Sequence, residues 1–172
     1  RSSDLNHKIT CYAYNVQVKR VGRFDVQKAN ALNIPKKLWS ILQKQQSVEF
    51  EGKTYTSDMV LGSPRKGIKV SYCTDTRPTK ELPAFVENSD LLICEGMYGE
   101  KDKIQKAKEY KHMMFTEAAE IAKKANVNEM WLTHFSPAMP FPEEFLPSAK
   151  EIFENTHIGK DRKNVTLLFE ED

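Results

Sequence analysis

At 172 residues the chain is long enough to bury a core without disulfides or structural metal, and 40% apolar with 29% charged residues describes a soluble globular protein. No apolar run approaches the roughly 20 residues of a membrane span, so a helical membrane protein is excluded. A net charge of +2 does not argue for nucleic acid by itself, although Lys36, Lys37, Lys44, Lys53, Arg65, Lys66 and Lys69 make the early part basic. Cys11, Cys73 and Cys94 are too few and too widely spaced for a disulfide framework or a zinc knuckle, which points to reduced thiols and an intracellular, cytoplasmic setting. The first residue is Arg1, with no targeting segment after it, so the start reads as cut.

In chain order, the alternation of ITCYAYNVQVK predicts a strand over residues 9–19 with a half-buried face, and His7 stands at its mouth. Residues 25–32 have helical composition with an acidic first turn, stopped by Asn33 and Pro35, and a second short helix covers 37–44. SVEF and KTYT flank Glu51-Gly52 as a hairpin, and GSPRKG is a connection rich in breakers. Three apolar strands then run into polar residues: 68–73 before TDTRP, the strand in DLLICEG, and the strand in EMWLTHFSP. Helical patterns lie between or after them at 79–87, 101–111, 115–125 and 143–153, and VTLLF predicts one more strand over 165–169. Strands alternating with helices define an α/β layered sheet, in which functional side chains collect beyond the carboxyl ends of the strands. Asp75, Glu95 and His134 all stand at such ends.

Asp75 directly follows a buried strand, so its carboxylate must be solvated, hydrogen-bonded or bound to a cation. An aspartate there is more often a turn or cap residue. His134, between Trp131 and Phe135, poses the same choice, and together the two make a metal site plausible without establishing it. His112, before a helix start, is either a proton donor or surface filler. Arg77 can fork onto a phosphate or close a local ion pair, and His157 is structural.

The ordered set LNHKITCYAY, GRFDVQKANAL, YCTDTRP, LLICEGMYG, KHMMFTEAAE and LTHFSP resembles the ribonuclease Z family of the metallo-β-lactamase superfamily over nearly all 172 residues. The resemblance implies an α/β fold, the C-terminal half of an αββα four-layer sandwich, spanning residues 1–172, with residues 19–67 as a tRNA-binding arm. It implies a metal-dependent endoribonuclease that removes the 3′ trailer of tRNA precursors. By the family's pattern His7, Asp75 and His134 are ligands of two divalent ions, zinc with manganese as the alternative, and Asp75 is shared. His112 is then the proton donor to the leaving oxygen, and Arg77 a phosphate contact.

The chain also departs from that pattern. Met113-Met114 follows His112 where a small residue and Thr are usual, Ala13 replaces a Gly, the arm is short, and no His-x-His-x-Asp-His occurs. With one histidine per ion and one shared carboxylate the ligand set is incomplete, so this chain is expected to be inactive alone and to cover its open sheet face by forming a homodimer. Two alternatives stand beside the nuclease: a phosphodiesterase of the same superfamily, and a non-catalytic half that binds tRNA or dimerises.

Overall fold

The computed structural model describes residues 1–170. Its first half carries strands β1 (Ser2–Asp4) and β2 (Tyr12–Arg20), helices α1 (Val26–Ala31) and α2 (Lys36–Leu42), and strands β3 (Ser47–Phe50) and β4 (Lys53–Thr56). Then follow β5 (Arg65–Cys73), α3 (Leu82–Val86), β6 (Leu91–Glu95), α4 (Ile104–Tyr110), α5 (Phe115–Lys124), β7 (Glu129–Thr133), α6 (Leu146–Lys150) and β8 (Thr156–Ile158). The chain divides into two compact units, one of residues 1–18 with 68–169, the other of residues 19–67 with Glu170.

The first unit holds a six-stranded sheet in the order β1-β2-β5-β6-β7-β8. β5 through β8 are parallel, while β1 runs antiparallel to β2 at one edge. The register places Cys73, Cys94, Leu132 and Ile158 in one row across the sheet, and Ser71, Leu92, Met130 and Thr156 in the next. All eight are buried. Helix α5 packs on this face because Phe115, Ala118, Ala119, Ile121 and Ala122 recur at helical spacing, with Glu120, Lys123 and Lys124 turned to solvent. Each fully buried large side chain here contributes about 1.5–3 kcal/mol relative to exposure. On β2 the alternation separates buried Ala13 and Asn15 from Tyr12, Tyr14, Val16 and Val18, which are exposed together with Tyr72 of β5.

Gly99 is required by close approach rather than by its backbone angle. A Cβ there would lie 2.3 Å from Phe145 Cβ and 2.5 Å from its Cγ. Gly99→Ala is therefore expected to lower stability by about 1–3 kcal/mol, read by thermal melting.

The second unit is a β3–β4 hairpin, paired from Ser47↔Thr56 to Phe50↔Lys53, with the two short helices. Glu51 and Gly52 take positive φ at its turn (51° and 73°), and Ala29, Ile34, Leu38, Leu42 and Val60 form its own small core. Asp25 caps α1 by accepting from Lys28 N at 2.8 Å.

Three expectations are corrected. Residues 165–169 form no strand: Leu168 is 79% exposed and no strand among the described residues pairs with the segment. The sheet instead ends on β8, which was not foreseen because three residues are too few to show a period. The helix expected over 101–111 begins as a 3-10 turn (Lys101–Lys103) before α4, and that expected over 143–153 likewise opens as a 3-10 turn (Pro142–Phe145) before the short α6.

Candidate metal centre

The chain brings four of the foreseen side chains to one place in the first unit. His7 comes from the loop between β1 and β2, Asp75 from just beyond β5, His112 from the turn between α4 and α5, and His134 from the residue after β7. One ligand atom from each of His7, Asp75 and His112 lies within 4.8 Å of the others. His134 Nε2 is 3.4 Å from Asp75 Oδ2, and the His112 ring centroid is 4.9 Å from that of His7 and 5.3 Å from that of His134. His157 lies elsewhere, on β8, 3.0 Å from Asn155 Oδ1.

Backbone geometry aims these groups. His134 holds φ 59°, a left-handed conformation uncommon for a residue with a Cβ and the kind of local cost found at functional positions. Lys111, at φ 61°, ends α4, and its carbonyl lies 3.0 Å from His7 Nδ1. His112 Nδ1 lies 3.2 Å from Glu95 Oε1. Both imidazoles are thus held from behind through Nδ1, which leaves Nε2 for the cluster, as in histidines oriented by an outer partner.

Glu95, at the end of β6, is fully buried. Its carboxyl accepts from Thr76 N and from Met113 N (3.1 Å), tying the residue after Asp75 to the residue after His112. Burial pushes it up to about 8, against the backbone donors that pull it down. Burial also holds His112 below its ordinary value, opposed by the Asp75 carboxylate. Both shifts favour the uncharged forms, so Glu95 and His112 share a hydrogen bond rather than a full ion pair at neutral pH.

This raised value predicts a pH effect. Glu95 favours the folded state fully below 4.5, and that contribution, on the order of a few kcal/mol, fades as pH rises through about 8. Between those limits the melting temperature of the wild type should fall relative to that of Glu95→Gln, which has no proton to lose. Parallel pH profiles would contradict the assignment.

Arg77 Nη1 donates to His112 O at 2.6 Å and to Glu117 Oε2 at 2.7 Å, while Nη2 pairs with Glu117 Oε1. Sequence reasoning named Glu95 only as a strand-end residue and missed Glu117. The signal for Glu95 was present in LLICEG, where a carboxylate closes an apolar run and has to be buried with it.

A layered α/β unit with histidines and an aspartate gathered beyond the strand ends defines a candidate metallohydrolase centre. The sequence profile of the beta-lactamase superfamily domain matches residues 16–135, and the chain belongs to that superfamily. It is 56% identical over 168 residues to a curated protein named ribonuclease Z from Agathobacter rectalis, covering 98% of this chain and 55% of that protein. A ribonuclease Z from Clostridium acetobutylicum is 56% identical over 166 residues, 96% of this chain and 54% of that protein. The chain spans about half the length of the curated relatives it matches. Among solved structures, the metallo-beta-lactamase fold protein YhfI of Bacillus subtilis has a TM-score of 0.54 at 22% identity, over 90% of this chain and 43% of that one. The short form of human tRNase Z has a TM-score of 0.55 at 15% identity, over 98% and 42%. These two likenesses concern the fold.

Proposed function

We propose that this chain carries half of the catalytic site of a ribonuclease Z-type endonuclease, which removes the 3′ trailer from tRNA precursors by hydrolysis of one phosphodiester. The observation that carries the reading is the convergence of His7, Asp75, His112 and His134 at the strand ends. Identity of 56% to proteins named ribonuclease Z supports it.

The donor set fits divalent metal. Imidazole and carboxylate suit zinc and manganese. Separations of up to 4.8 Å exceed the roughly 3.4 Å edge of a tetrahedral zinc site, so the side chains must close by about an ångström. His7, Asp75 and His134 would hold two ions, with further ligands from outside these residues. Bound there, the metal would polarise the phosphate and lower the pKa of the attacking water.

The chain's own residues do the rest. Asp75 orients His134 at 3.4 Å, and the Lys111 carbonyl fixes His7. His112 donates its Nε2 proton to the oxygen leaving the phosphorus, with Glu95 resupplying Nδ1. Lysines of residues 19–67 contact phosphates of the tRNA body, where affinity follows the number of neutralised phosphates. The protein works in the cytoplasm, which suits the free thiols Cys11, Cys73 and Cys94. No helix is long and apolar enough to cross a membrane.

A fusion tests the substrate class: the part of the Agathobacter rectalis relative that this chain does not match, joined to residues 1–172. It should cleave a precursor tRNA in preference to bis(p-nitrophenyl) phosphate. Equal or reversed preference would favour a phosphodiesterase of the same superfamily. The exposed Tyr12, Tyr14, Val16 and Val18 support self-association of the chain by itself, and sedimentation giving a monomer at micromolar concentration would oppose that.

A further inference from the structure

We propose that Arg77 is a positioning residue rather than a phosphate contact: its guanidinium clamps the His112 turn to α5 and to the Asp75 turn. The idea rests on the reading of His112 as a working residue.

Three of the five guanidinium N–H groups are committed. Both Nη1 hydrogens are used, one on the His112 carbonyl at 2.6 Å and one on Glu117 Oε2 at 2.7 Å, and Nη2 donates to Glu117 Oε1. The pair is mostly buried, with side-chain exposures of 15% for Arg77 and 20% for Glu117. Glu117 is itself fixed, since its Oε2 also accepts from Met114 N at 2.9 Å at the start of α5, where the helix dipole favours a carboxylate. The arginine backbone extends the clamp. Arg77 N donates to Asn6 O at 3.0 Å, and Asn6 N donates to Thr76 Oγ1 at 2.9 Å, beside His7. One residue thereby joins the segments that carry His7, Asp75 and His112.

Lysine in its place keeps the charge but lacks the planar fork that holds both carboxylate oxygens and the carbonyl together. A phosphate contact tolerates that change better than a clamp does. The nitrogen-proton correlation spectrum of the histidine rings in the 172-residue chain provides the readout. Arg77→Lys and Glu117→Gln should each move the His112 signals, the double variant should move them little further, and His157 should not respond. Unmoved His112 signals in both single variants would overturn the proposal, and Glu117→Gln decides if Arg77→Lys does not fold.

In the fusion described above, Arg77→Lys should lower kcat roughly 10- to 100-fold, the cost of a misplaced catalytic group, with KM and its salt dependence kept. A raised KM with kcat preserved would make Arg77 a phosphate contact and refute the clamp. A wild-type fusion that folds but cuts no precursor would sink the proposed function, while the His112 spectrum would still decide the clamp.

Discussion

Asp75→Ala in the fusion should lower precursor cleavage by roughly 10³-fold, corresponding to several kcal/mol of transition-state stabilisation. Asp75 offers one ligand atom within 4.8 Å of ligand atoms of His7 and His112, and its Oδ2 lies 3.4 Å from His134 Nε2. On the proposed reading Asp75 is the ligand shared by both ions, so its removal should cost more than removal of His7 or His134. The side chain is 31% exposed, so the loss should come with little change in melting temperature. Steady-state cleavage beside a thermal melt checks both parts. Activity within tenfold of wild type would remove Asp75 from the site.

The second large effect falls on folding. Phe115→Ala should cost about 3–5 kcal/mol, measured by urea unfolding of the 172-residue chain. Phe115 is fully buried at the first turn of α5, its ring centroid is 5.7 Å from that of Phe135, and its amide donates to Tyr98 O at 2.9 Å. A Cβ on Gly96 would come within 3.0 Å of the Phe115 ring, so the strand end and the helix start are packed with little room to collapse into the gap. A cost below 1 kcal/mol would mean that α5 is not anchored there.

These two residues also show what could be read before the structure. α5 was legible because its apolar residues recur at helical spacing, and β5, β6 and β7 because each apolar run stops at a polar residue. The positions of Asp75 and His134 followed from the rule that such strand ends meet on one edge of a parallel sheet. VTLLF misled for the converse reason: its composition favours a strand, but composition cannot supply a neighbour to pair with, and the described segment stays largely exposed. β8, with polar Asn155 before it, is a strand only because β7 offers its edge.

The supports of the site were harder to foresee. Arg77 and Glu117 are 40 residues apart, and nothing local in DTRP or FTEAAE signals that they meet. Glu95 showed that it must be buried, but not that Thr76, His112 and Met113 would share it. The sequence motifs located the side chains aimed into the cluster; those that hold them from behind depend on long-range packing.

The most direct test is the chemistry of the ends produced when the fusion cuts a precursor tRNA. Attack by water with departure of the trailer predicts one cut after the discriminator base, a 3′-hydroxyl on the tRNA and a 5′-phosphate on the trailer, lost on chelation of divalent metal. A cyclic phosphate on the tRNA, or cleavage undiminished by chelation, would contradict the account.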